Sequence, residues 1–353
     1  MGTAGTATSI GRPLIIPLFI PHGGCPHQCV FCNQQVITGE AARIPSSAQI
    51  RREVSRFLRY ARQRPSFTQI SFYGGSFLGL EKQTILELLA AAHPFVENQS
   101  VDSLRFSTRP DTISPETLDW IAPFPISTVE LGVQSMNDPV LEAVGRGHTA
   151  ADTVTAAARL KKRGYRLGLQ MMVGLPADDT PGAMRTARRM ADLKPDFVRI
   201  YPTLVLTGSQ LARLYRNGGY RPLPLETCID LVKQLFLYFR SKQIPVVRMG
   251  LQASDGLADA GTLLAGPYHP AFGHLVHGEI ALDAIESALK ESAPPGRITI
   301  TAHPAMVSRV QGLNKRNLHR LQQRHRPQAV TIAQDENLPR HRLLVGDRPI
   351  TLP

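Results

Sequence analysis

Cys25, Cys29 and Cys32 stand within eight residues in the spacing C-x3-C-x2-C, and the fourth cysteine, Cys228, lies far along the chain. Thiolates this close together serve two metal chemistries, a zinc site or an iron–sulfur cluster. A structural zinc closes four ligands, usually as two pairs brought from separate places. Here one C-x2-C pair and one further cysteine stand together, and no second knuckle is evident. Three thiolates on a four-iron cluster would leave one iron open to bind something else. The spacing favours the cluster and leaves zinc open.

The elements that must hold these residues follow a steady rhythm. Apolar strand-like runs occur at Leu14–Ile20, Thr68–Phe72, Ser103–Ser107, Thr128–Val133, Arg166–Val173 and Phe197–Tyr201. Helical patterns lie between them, among them Ser47 to Arg64, Leu80–Ala92, Ala151–Arg163 and Pro181–Leu193. About six strand–helix repeats argue for parallel strands under a layer of helices. The candidate chemistry falls at the C-terminal strand ends, as in a TIM barrel. We therefore expect an α/β fold, a partial (β/α)6 TIM-type barrel, open enough for a bulky substrate to reach a buried reactive centre. Glycines at Gly23 and Gly24 suit a backbone passing close to a cluster.

Cys-x3-Cys-x-aromatic-Cys after a hydrophobic strand resembles the signature of radical S-adenosylmethionine (SAM) enzymes. The resemblance implies that Cys25, Cys29 and Cys32 hold a [4Fe–4S] cluster whose fourth iron is chelated by the amino and carboxylate groups of SAM. Reductive cleavage of SAM then gives methionine and a 5′-deoxyadenosyl radical that takes hydrogen from the substrate. Further matches imply further SAM contacts. Phe31 would pack on adenine, and Gly74, Gly75 and Ser76 form the glycine motif after the second strand. Ser107 stands where relatives commonly carry Glu, Gln134 ends the fourth strand, and Gln170 and Gly174 lie on and after the fifth. Arg146-Gly147-His148-Thr149 resembles the Elp3 group, which modifies the wobble uridine of tRNA, and is close to the coproporphyrinogen dehydrogenase group; both imply that Arg146 reaches the SAM carboxylate. Met171 to Pro176 and Tyr201 to Val205 also read like the Elp3 group. By the same resemblance Tyr201 and Arg248 become substrate-contact candidates. Two departures matter: Elp3 proteins space their first two cluster cysteines far more widely, and nothing after Leu251 resembles their acetyltransferase domain.

Composition bounds the rest. The 353 residues carry a formal charge of +12, and ten Lys/Arg against three Asp/Glu place +7 of it between Arg297 and Pro353. Such an excess suits a polyanionic partner. Gly312-Leu313-Asn314-Lys315 opening a basic helix suggests a phosphate contact by Lys315 and Arg316. We expect a disordered tail at 1–12, a barrel at 13–210, a helical and strand extension packing on the barrel at 211–296, and a basic α/β C-terminal region at 297–353. No stretch has the length of a membrane span, and the small, polar N-terminus lacks the pattern of a signal peptide. The expected location is the cytoplasm. The expected partners are RNA, in particular tRNA, and an electron donor such as flavodoxin or ferredoxin. A small anionic metabolite, porphyrin-like, is the alternative substrate, and a non-catalytic metal-containing RNA-binding protein the alternative class. His269, His274 and His277 read as part of a folded segment before a metal site, and Cys228 as a small buried hydrophobe.

Overall fold

The computed structural model describes residues 13–20, 22–34, 43–60, 65–251, 257, 261–290 and 296–353. The expected tail at 1–12 lies outside them. Seven parallel strands form the main sheet: β1 (Leu14–Ile20), β2 (Thr68–Gly74), β3 (Ser103–Thr108), β4 (Ile126–Gln134), β5 (Arg166–Val173), β6 (Phe197–Pro202) and β8 (Val246–Met249). Their order in the sheet is their order in the chain, so the sheet grows in one direction with β1 and β8 at its edges. Among the described residues no pairing joins those two edges, and the sheet is an open, curled half-barrel.

The helices between the strands are α1 (Ser47–Tyr60), α2 (Lys82–Ala92), α3 (Pro115–Ile121), α4 (Asp138–Ala143), α5 (Ala150–Lys162), α6 (Thr180–Asp192), α7 (Gln210–Arg216) and α8 (Leu225–Ser241). Local chemistry starts them. Ser114 and Thr117 close a capping box on α3, and Thr149 and Asp152 close one on α5. Such a cap is worth about 1 kcal/mol. Thr149 ends the Arg146–Thr149 motif, so part of that motif's job is to begin a helix. The helices cover the sheet's outer face, where Ile70, Phe72, Leu104, Phe106, Val129, Leu131, Leu167, Leu169, Val198 and Ile200 are buried in one core.

The sheet runs one strand beyond the six expected repeats. The segment Ile244–Leu251, placed by the sequence in an extension, supplies β8, which pairs in parallel with β6. The reason is the long α8, whose apolar stripe of Ile229, Val232, Leu235 and Phe236 joins the main core and returns the chain to the sheet edge.

A two-stranded ribbon, β7 (Val205–Leu206) with β9 (Leu263–Ala265), follows β6. The C-terminal part comprises α9 (Phe272–Lys290), β10 (Arg297–Ala302), α10 (Val307–Gln311), α11 (Arg316–His325), β11 (Ala329–Gln334), β12 (Arg342–Val345) and β13 (Arg348–Thr351). Its four strands form a mixed sheet in the order β11-β10-β12-β13, packed on the C-terminal half of α9 around its own apolar cluster. Among the described residues no helix is long and apolar enough to cross a membrane.

Candidate active site

The loop after β1 carries the three cysteines and is locked to the loop after β2. Gly75 N–H donates to Ile20 C=O at 3.0 Å, and Ser76 N–H to Gly23 C=O at 2.8 Å. The approach is closer than any side chain permits. A Cβ on Gly75 would lie 1.9 Å from the Gly23 oxygen, and one on Gly24, whose φ is +66°, 2.2 Å from the Ser76 oxygen. The Gly-Gly pairs thus weld two loops together, a duty separate from any cofactor contact. Val30 closes the cysteine loop from both sides. Its N–H donates to Val144 C=O at 3.0 Å after α4, and its C=O accepts from Leu211 N–H at 2.7 Å on α7. His22 is a loop hydrogen-bonder, its Nε2 accepting from Gln34 N–H at 3.1 Å.

Cys25, Cys29 and Cys32 line one cavity of about 780 Å³ that runs along the inner face of the sheet, with the cysteines at the C-terminal strand ends. Burial pushes the Cys32 thiol up to about 12, with the charges of Cys29 and Cys25 adding to it and Arg146 opposing. Burial also raises Cys25. Thiols held so resist ionising together until a cation joins them. Arg146 supports the negative form: its Nη1 lies 3.5 Å from Cys29 Sγ while its Nη2 donates to Gly132 C=O at 2.5 Å. A Cβ on residue 132 would come within 2.8 Å of that guanidinium, so Gly132 leaves the room Arg146 needs. The buried Nε of Arg146 and Oε1 of Gln134 have no hydrogen-bond partner among the described residues, as expected of groups awaiting a polar ligand.

Most of the residues singled out from the sequence meet here. Phe31, Gly74, Gly75, Ser107, Gln134, Arg146, Gln170, Tyr201 and Arg248 all line the cavity with the cysteines. Phe31 has a second role, packing its ring into the apolar groups around Leu211 and Leu175. Four residues do not join them. Ser76 is fully buried with its hydroxyl 3.0 Å from that of Thr108, and it accepts from Arg109 N–H at 3.2 Å, so it shapes the loop. Gly174 turns at φ +75° with its C=O taken by the Tyr220 hydroxyl at 2.6 Å. Lys315 and Arg316 sit at the start of α11, outside this cavity.

The turn before α11 also has a structural explanation. Asn317 is buried, donates to Gly278 C=O on α9 at 2.9 Å, and crowds Gly312, holding the turn against the body. The arginines of α11 pair with carboxylates at the protein surface. Arg320 meets Glu279 at 2.5 Å, Arg324 meets Glu286 at 2.6 Å, and Arg316 lies 3.6 Å from Glu226 of α8.

Sequence reasoning missed a polar network on the half-barrel's inner face. Arg105 and Arg199 both hold Glu130, the latter at 2.8 Å, and Tyr73 donates to the same carboxylate at 3.1 Å. Gly168 makes room, since a Cβ there would strike the Phe197 ring at 2.4 Å and Glu130 Cγ at 2.9 Å. The signal was in the strands. Gln69, Ser71 and Tyr73, Arg105 and Ser107, Thr128 and Glu130, and Arg199 and Tyr201 alternate with apolar residues at period two, which marks a polar inner face.

Among the described residues no three His, Cys, Asp or Glu side chains gather around a point where one ion touches all of them. His277 packs edge-on against Phe236. The three thiols line one cavity together, as a cluster bound through three thiolates requires. Cys228 is fully buried in the main core, apart from this cavity.

The radical SAM superfamily model matches residues 19–187 and the Radical_SAM C-terminal domain model residues 195–281. An uncharacterized protein of Methanocaldococcus jannaschii is 30% identical over 223 residues, covering 59% of this chain and 67% of its own length. A tRNA uridine(34) acetyltransferase of the same organism is 33% identical over 133 residues, which are 37% of this chain and 25% of that protein. In structure, Methanocaldococcus infernus Elp3 superposes with a TM-score of 0.58 at 21% identity, covering 77% of this chain and 63% of the other. The chain thus spans a quarter of the length of the acetyltransferase it matches. The cysteine triad, the open parallel half-barrel and two adjoining family matches agree: the chain belongs to the radical SAM superfamily, whose cofactors are a [4Fe–4S] cluster and SAM.

Proposed function

We propose that this protein is a radical SAM enzyme acting on RNA, with tRNA the substrate class. When bound, the cluster and SAM supply one-electron cleavage of the sulfonium and a carbon radical that removes hydrogen from the substrate. Cys25, Cys29 and Cys32 hold the cluster. Arg146 orients the SAM carboxylate and offsets the thiolate charge beside it. Gly74 and Gly75 give the cofactor a close backbone wall, and Ser107, Gln134 and Gln170 provide its polar contacts. Phe31 packs on the adenine. Tyr201 and Arg248 line the same cavity and meet the substrate. The carrying observation is this single cavity, which joins the three thiols and Arg146 to a lumen open along one side of the sheet.

The choice of RNA is supported by the names of relatives, tRNA uridine(34) acetyltransferases and Elongator complex protein 3 among them, and by the chain's charge of +12. The matched region covers a quarter of the acetyltransferase, so acetyl transfer is not carried across to this chain. The site of action is the cytoplasm, with a flavodoxin or ferredoxin as the electron source. Nucleoside analysis of tRNA from cells lacking the protein tests this reading. We expect one modified nucleoside to disappear, with its precursor in its place. An unchanged profile overturns the choice of RNA.

A further inference from the structure

The turn after β3, Thr108-Arg109-Pro110-Asp111, places an arginine in the same cavity as the three cysteines. Arg109 is fully buried, and Asp111 grips it twice. Arg109 Nε donates to Asp111 Oδ1 at 2.9 Å, and its Nη2 donates to Oδ2 at 2.9 Å. A fork of this kind fixes the plane of the guanidinium. The third nitrogen, Nη1, is also buried and has no hydrogen-bond partner among the described residues. A buried donor left over in this way is costly unless a ligand accepts from it.

The backbone brings this donor to the Cys25 side of the cysteine loop. Arg109 N–H donates to Ser76 Oγ at 3.2 Å, and Ser76 N–H donates to Gly23 C=O at 2.8 Å, two residues before Cys25. One serine thus ties the end of β3 to the start of the cysteine loop. On the neighbouring strand, Leu131 pairs with Thr108, which sets Arg109 level with Gly132, whose carbonyl holds Arg146. Arg146 stands at Cys29. Arg109 stands at the Cys25 side, where burial raises the thiol and the charges of Arg146 and Arg109 oppose it.

The two members of the Arg109–Asp111 pair meet different surroundings. The guanidinium is 2% exposed and the carboxylate 25%. Water screens the carboxylate more, so the cation prevails inside the cavity. We infer that Arg109 is a positioning residue for electron uptake: its charge and its spare Nη1–H serve the Cys25 side of the cluster and raise the cluster's reduction potential. Reduction brings one electron from the external donor onto the oxidised cluster, with no bond formed or broken, and a nearby cation and N–H donor stabilise the added charge. Asp111 sets how much of that stabilisation is felt. The inference rests on the proposed cluster chemistry and gives Arg109 a task distinct from that of Arg146, which orients SAM.

The test is a potentiometric titration, followed by electron paramagnetic resonance, of the anaerobically reconstituted full-length protein without SAM. In Arg109→Gln the reduction equilibrium should fall about tenfold, a shift of about 59 mV toward negative potential. Asp111→Asn should raise it about threefold, because the cation is then unmasked. Arg109→Lys keeps the charge and should stay within about twofold of the wild type, and Arg324→Gln, on α11, should not shift. A merely structural pair would lower stability in both variants without moving the potential in opposite directions. Equal potentials in the wild type, Arg109→Gln and Asp111→Asn overturn the inference, as does a shift of the same sign in both variants. Should Arg109→Gln take up no cluster, Asp111→Asn decides alone: an upward shift supports the inference and its absence overturns it. Iron and sulfide content separates the two readings. Wild-type protein without a cluster defeats the radical chemistry and this inference together, whereas a loaded cluster with unmoved potentials defeats this inference alone.

Discussion

Two regions of this molecule are rich in arginine, and they dispose of the charge in opposite ways. On α11, Arg316, Arg320 and Arg324 each face a glutamate on α8 or α9, one cation to one anion at the protein surface. On the inner face of the half-barrel, Arg105 and Arg199 share Glu130, with Arg248 beside them in register. The sequence draws attention to the first region, because that is where basic residues crowd together. The structure draws attention to the second, because two recessed arginines there share one buried carboxylate. Net charge along a chain tells how the protein behaves toward polyanions at long range, whereas local pairing tells where one will sit.

The sharpest way to break this comparison is to remove one carboxylate from each region. Glu130→Gln leaves two recessed guanidinium groups facing each other, and should cost about 3–5 kcal/mol of stability in denaturant titration. Glu279→Gln, which loses a partly exposed pair with Arg320, should cost about 1 kcal/mol or less. Equal costs would mean that the lumen pair is as well solvated as the helix pair. The next effect is steric. Gly132→Ala places a methyl 2.8 Å from the Arg146 guanidinium. It should cost about 1–3 kcal/mol and weaken SAM binding, read by equilibrium dialysis. Unchanged SAM affinity would remove Arg146 from the cofactor site.

A third expectation concerns pH at the junction of α8 and α9. Burial, with Arg309 adding to it, pushes His277 down from 6.5 to about 4. The unfolded chain therefore takes up this proton first, so stability rises with pH across that window and is lost as pH falls from about 6.5 toward 4. Allowing for partial exposure, the loss should be about 2 kcal/mol, and His277→Phe should flatten the slope. A slope identical in the variant would place the titration elsewhere. The smallest effect belongs to the surface. Arg324→Gln should change stability by about 0.5 kcal/mol or less and lower the salt dependence of RNA binding by at most about one counterion. A larger change in the salt slope would restore α11 as a docking helix.

Much of the fold was legible in the chain. The strand cores are short apolar runs separated by capped helices, and local composition decides both. The cysteine loop was legible because three thiols within eight residues have few other uses. The seventh strand was harder to see, since Val246–Met249 is half-exposed and joins the sheet through the packing of α8 on the core. Ser76 and Gly174 were placed at the cofactor from motif position; the Ser76 hydroxyl also meets Thr108 and the Gly174 carbonyl accepts from Tyr220, neighbours the chain brings close only on folding. The ion pairs of the α11 arginines were hidden for the same reason, as their carboxylate partners lie 38 to 90 positions away. Pairing across such separations is a property of topology, which no local pattern carries.

The central claim is that Cys25, Cys29 and Cys32 hold a cluster that cleaves SAM. Anaerobic reconstitution, followed by metal analysis and an assay for 5′-deoxyadenosine with a strong reductant, tests it most directly. The account predicts about four iron atoms per chain and release of 5′-deoxyadenosine, both lost in Cys29→Ala. Zinc in place of iron, or 5′-deoxyadenosine formed equally by the Cys29→Ala protein, would contradict it.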